Sequence, residues 1–95
     1  MPLEHIVWLK AKPGVAEGDM ESIMGAILDL SHLPGVVAIS AGKNITDRAN
    51  GATHGVLVTL ADREALSEYL VHPEHKAVGA TLRECCEVLA LDYEH

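Results

Sequence analysis

THGVLVTLADREALSEYL, residues Thr53 to Leu70, holds the change of pattern that decides the fold. Its first eight residues alternate. His54, Val56, Val58 and Leu60 share one face, and Thr53, Gly55, Leu57 and Thr59 share the other, the signature of a half-buried strand. Asp62 then offers a helix N-cap, and Leu66, Tyr69 and Leu70 fall on one face of a short helix running to about Val71.

The same switch recurs on either side. Upstream, Leu3 to Ala11 is rich in strand formers. His5, Val7 and Leu9 alternate with Ile6, Trp8 and Lys10, apolar on both sides, as a central strand would be. Lys12-Pro13-Gly14 ends it. From Ala16 to Leu33, Met20, Ile23, Met24, Ile27, Leu28 and Leu30 repeat at helical spacing, and acidic residues open the segment, where the helix dipole favours them. Pro34-Gly35 stops it. Val36 to Ser40 reads as a strand, and Gly42 to Ala52 as a polar loop. Downstream, His72-Pro73 closes one helix and starts another. There His75, Val78, Gly79 and Leu82 form one stripe, which puts His75 on the buried face. Glu87 to Tyr93 is the last strand.

The order β-α-β-β-α-α-β predicts an α+β domain of ferredoxin-like type, spanning 1–95. This reading sets the first and third strands side by side and parallel in an otherwise antiparallel sheet, with the helices on one face. The other face carries Ile6, Trp8 and Leu57, joined by Leu89 and Leu91 in one register of the last strand. Such a face calls for cover, and a homodimer packed sheet on sheet supplies it.

Composition bounds the function. A chain of 95 residues has room for one modest core, and domains of this size bury about two thirds of their unfolded surface. The net charge of -7, from 7 basic and 14 acidic residues, argues against nucleic acid and anionic membranes. No segment reaches the length of a membrane span, and MPLEHIVWLK lacks a leader pattern, so the expected compartment is the cytoplasm. Cys85 and Cys86 are adjacent and offer no disulfide framework. With Trp8, Tyr69 and Tyr93 the only aromatics besides histidine, any pocket must be lined mainly by aliphatic side chains.

Parallel first and third strands would place His5 and His54 at one sheet end. The helices after Asp62 would bring Tyr69, His72 and His75 back to that end. Asp92, near the close of the last strand, would orient His5 if Val88, Ala90 and Asp92 face the helices. The cluster would sit at the mouth of a pocket built from Val7, Leu9 and Val56 on the sheet and Ile23, Met24, Ile27, Val78 and Gly79 on the helices. Three readings compete: structural histidines bonded to backbone, acid–base chemistry by a histidine poised near neutrality, and a zinc or iron site. The spacing lacks HxH or HExxH, which ranks the metal last.

The motifs Glu4-His5-Ile6-Val7, Pro34-Gly35-Val36, Gly42-Lys43-Asn44, Thr53-His54-Gly55, Asp62-Arg63-Glu64-Ala65-Leu66, Tyr69 to His75 and Asp92-Tyr93-Glu94 together resemble the stress-responsive A/B barrel domain (Dabb) family over essentially the whole chain. The resemblance implies a dimeric α/β barrel. A plant polyketide cyclase of that family uses a histidine–tyrosine pair with no metal or organic cofactor. By that likeness His75 is the base, Tyr69 the carbonyl-orienting hydroxyl, and His5 and His54 their support. The expected ligand is a small apolar carbonyl compound, and the expected activity is of cyclase or isomerase type. The alternatives are a non-catalytic, stress-related ligand-binding dimer and a metal-dependent barrel enzyme such as a monooxygenase.

Overall fold

In the computed structural model, which describes all of residues 1–95, the order is β1 (Leu3–Ala11), α1 (Glu17–Leu28), a 3-10 turn (Asp29–His32), β2 (Val36–Lys43), β3 (His54–Leu60), α2 (Arg63–Val71), α3 (Pro73–Cys85) and β4 (Cys86–Glu94). Each boundary has a local cause. Asp62 caps α2 by accepting from the Ala65 amide at 2.8 Å. The His72 ring accepts from the Glu74 amide, and Pro73 occupies the first position of α3. The helix expected through Leu33 tightens into the 3-10 turn, which carries Leu30 and Leu33 into the core. β2 runs three residues further than its sequence pattern suggested, to Lys43, with a bulge near Val37.

The sheet order is β2-β3-β1-β4, and every neighbouring pair is antiparallel. This corrects the expected parallel pairing of the first and third strands. The crossover through α1 makes β1 and β2 run the same way. β3 returns from β2 through a loop and inserts between them, so it runs against both. Leu3 therefore faces Leu60, His5 faces Val58, and His54 faces Leu9.

Leu3, Val7 and Leu9 of β1 and Val56, Val58 and Leu60 of β3 pack against Met20, Ile23, Met24 and Ile27 of α1. Burying one such aliphatic side chain contributes about 1.5–3 kcal/mol. Behind this core, Gly35 adopts φ +81°, and a Cβ there would lie 2.5 Å from the Ala65 Cβ, so β2 and α2 meet over a glycine.

The molecule is only 16 Å thick in its shortest direction, as expected of one sheet and one helical layer. On the open face Leu57, Leu89, Leu91 and Tyr93 are exposed. Ile6 and Trp8 lie among them, half-buried, and the Trp8 indole donates to the Ala49 carbonyl at 2.6 Å. No helix is long and apolar enough to cross a membrane.

Candidate functional site

The antiparallel sheet assembles the site by a route other than the expected one. β3 ends, rather than begins, at the His5 end of the sheet, because Leu60 pairs with Leu3. α2 starts there, and α3 runs from there towards the start of β4, which pairs with Ala11. His75, in the first turn of α3, thus stays at the His5 end, and Tyr69 reaches it from the buried face of α2.

His5 and Asp92 are direct cross-strand partners, and the His5 Nδ1 lies 2.5 Å from Asp92 Oδ1. With Nδ1 donating to the carboxylate, Asp92 fixes the orientation of the ring. His5 is 6% exposed and Tyr69 3%. The Tyr69 ring meets His5 edge to face, centroids 5.9 Å apart, and lies 4.5 Å from the His75 ring at a tilt of 53°. His75 Nδ1 is enclosed and has no hydrogen-bond partner. A buried ring nitrogen without a partner is costly and calls for a reason, of which a role in catalysis is one.

These three rings border a cavity of about 40 Å³, closed by Val7, Ile27, Leu30, Val56, Val58, Val78, Gly79 and Leu82. It can hold only a few water-sized groups. A second cavity, of about 130 Å³, shares His5, Val7, His75, Gly79 and Leu82 and adds Leu70, Arg83, Val88 and Ala90.

Electrostatics sets the protonation. Burial, then the charge on His5, pushes the His75 pKa below its ordinary value, against a smaller pull upward from the Leu70 backbone. Burial alone raises the Tyr69 hydroxyl to about 12. At neutral pH the pair is a neutral imidazole beside a protonated phenol, an acceptor and a donor carried on rings whose centroids are 4.5 Å apart.

His54 does not join this cluster. It pairs with Leu9, four residues along β1 from His5, a separation of about 13 Å at strand rise. Its Nδ1 lies 2.9 Å from Thr53 Oγ1. Burial and then the Lys43 charge lower its pKa, while Glu17 opposes them. His72 is spent as the cap of α3. Of the expected pocket residues, Val7, Ile27, Val56, Val78 and Gly79 line the inner cavity. Leu9 and Met24 are buried core, and Ile23 lines a separate groove of about 290 Å³ between α1 and α3. Sequence reasoning passed over Leu30, Val58 and Arg83. Val58 shares a strand face with Val56, and Leu30 falls one helical turn after Ile27, so the periodicities held those two signals; nothing in the sequence singles out Arg83. No three His, Cys, Asp or Glu side chains are arranged to hold a metal ion.

Residues 3–95 match the family model described as Stress responsive A/B Barrel Domain. The chain is 30% identical to olivetolic acid cyclase of Cannabis sativa, covering 98% of this chain and 96% of the cyclase. It is 28% identical to a stress-response A/B barrel domain-containing protein of Arabidopsis thaliana, covering 98% and 89%. Among solved structures it resembles a dimeric ferredoxin-like protein from Jannaschia sp. CCS1, with 33% identity, full coverage of both chains and a TM-score of 0.83.

Proposed function

The chain belongs to the stress responsive A/B barrel domain family, and from that premise we propose that it is an acid–base enzyme acting on a small carbonyl compound. The observation that carries this is the unpartnered Nδ1 of His75, enclosed beside the unbonded hydroxyl of Tyr69. The likeness to olivetolic acid cyclase supports it at a distant identity.

The chemistry is simple. His75, kept neutral by burial, takes a proton from the carbon next to a carbonyl. The electron pair moves onto the carbonyl oxygen, and Tyr69 donates a hydrogen bond to the enolate as it forms. The enolate then attacks a second carbonyl of the same molecule, as in a cyclase, or is reprotonated at another carbon, as in an isomerase. His5, fixed by Asp92, packs against Tyr69 and holds that ring in place. The inner cavity matches the reacting carbonyl in size, and the larger cavity takes the rest of the molecule.

The working form is a cytoplasmic homodimer in this reading. The bare apolar face of the sheet supports it, as does the dimeric Jannaschia relative. Ile6, Trp8 and Leu57 lie at its centre.

A panel of β-keto acids and esters tests the activity. Turnover present in the wild-type protein and lost in His75→Ala is the expected result, and turnover that survives His75→Ala rules out the role given to that residue. A second reading, a ligand-binding dimer without catalysis, draws on the small size of the inner cavity. It predicts tight binding with no turnover on any member of the panel.

A further inference from the structure

We propose that the cavity beside His75 selects carbonyl compounds that also carry a carboxylate, and that the Arg83 guanidinium holds that carboxylate. The inference rests on the acid–base reading above and narrows its substrate class.

α3 places Arg83 two turns after His75 and one turn after Gly79. Long side chains on a helix lean back towards its N-terminus, so Arg83 leans over Gly79 towards His75. Arg83 Nη1 lies 3.4 Å from where a Cβ at 79 would stand, an ordinary contact distance, so the side chain lies along this face of α3. The side chain thereby borders the 130 Å³ cavity together with His5 and His75. Its charge reaches the His75 ring, where it disfavours the imidazolium.

The guanidinium has no acidic partner within the fold. The ion pairs of the chain engage Lys10, Lys43, Arg63 and three histidines, and none includes Arg83. Lys12, Arg48 and Lys76 also stand outside these pairs, so what distinguishes Arg83 is the cavity it borders with His5 and His75. The nearest carboxylate on the cavity face of β4, Asp92, is engaged by His5. The remaining new walls, Leu70, Val88 and Ala90, are apolar. A planar cation with five donors over an apolar cavity is suited to a bidentate carboxylate. Because the same cavity touches Arg83 and His75, one molecule spans them, its carboxylate at the rim and its carbonyl towards His75.

The test needs no turnover. Levulinate and its methyl ester share a keto group and a carbon skeleton and differ in charge. Each is titrated into wild-type protein by calorimetry, with the His75 ring signals followed by NMR to locate binding. Levulinate should bind about tenfold more tightly than the ester, and added salt should erode that preference. Arg83→Gln should bring levulinate down to the ester's affinity and leave the ester unchanged. Equal binding of acid and ester by the wild-type protein overturns the proposal, as does a salt-independent preference or one that survives in Arg83→Gln. If acid and ester bind equally while His75→Ala abolishes turnover, this inference fails and the acid–base reading stands. If the acid preference depends on Arg83 but turnover ignores His75, the carboxylate site stands and the acid–base reading fails.

Discussion

Replacing Tyr69 by Phe removes one oxygen and keeps the ring, so the variant separates what the hydroxyl does for chemistry from what the side chain does for packing. The ring is almost fully buried and touches both His5 and His75. Phe preserves those contacts. The hydroxyl makes no hydrogen bond within the fold, and burial alone raises its pKa to about 12. The oxygen is not sealed in the core, because His75 Nδ1 is the one enclosed side-chain polar atom without a partner. Deleting it should therefore leave stability within about 0.5 kcal/mol of wild type, a Tm change of no more than about 2–4 °C for a domain of this size. Activity should fall. Losing a donor aimed at a developing oxyanion lowers kcat by about 100-fold or more. Thermal unfolding at fixed protomer concentration, set beside turnover on the β-keto panel, reads both. A variant as stable as wild type within that margin and nearly inactive is the expected outcome. A fall in stability of about 1 kcal/mol would refute the reasoning, because it would mean that the hydroxyl is a structural hydrogen-bonding group.

Other perturbations follow from the same geometry. Gly35→Ala places a Cβ against Ala65 in a left-handed backbone and should cost about 2–3 kcal/mol by urea denaturation; Ala65→Gly added to it should recover only part, because the φ of +81° remains. The kcat/KM profile should rise with pH through a single midpoint below the ordinary histidine value of 6.5, with no falling limb from Tyr69 in the neutral range. His75 and His54 both have lowered pKa values in the folded state, so the unfolded chain binds more protons in mild acid; their contribution to stability is present above about pH 6.5 and is lost as pH falls through the folded values, which denaturant midpoints against pH would reveal. Trp8→Glu should convert the dimer to monomer or aggregate, and an unchanged sedimentation profile would contradict the role given to the open face.

Face and direction were unequally legible in the sequence. Alternation along β1 and β3 assigns His5, Val7, Val56 and Val58 to the buried face, and that assignment holds because a period of two is a property of each strand alone. Direction belongs to the connections. Reading β3 as parallel to β1 moved His54 to the wrong end of the sheet and brought α2 and α3 in by the wrong path. Tyr69 and His75 still meet His5, since the helices start at the end where β3 finishes. The register of β4 was a choice between two, and the face shared with Val7 and Leu9 selected the one that turns Asp92 to His5. His72 carried its own signal in the proline that follows it, which marks a cap. Arg83 looks like an ordinary solvent-facing charge in sequence. Only the cavity it shares with His5 and His75 sets it apart, and that depends on how α3 sits over the sheet.

The central claim is that His75 removes a proton from carbon while Tyr69 steadies the enolate. Exchange of α-protons for deuterium in levulinate or a β-keto ester, followed by NMR in heavy water, measures that step without requiring the full reaction. The account predicts exchange above the buffer rate with wild-type protein, weakened by Tyr69→Phe and abolished by His75→Ala. Exchange at the buffer rate with wild-type protein, or exchange that His75→Ala leaves intact, would contradict it.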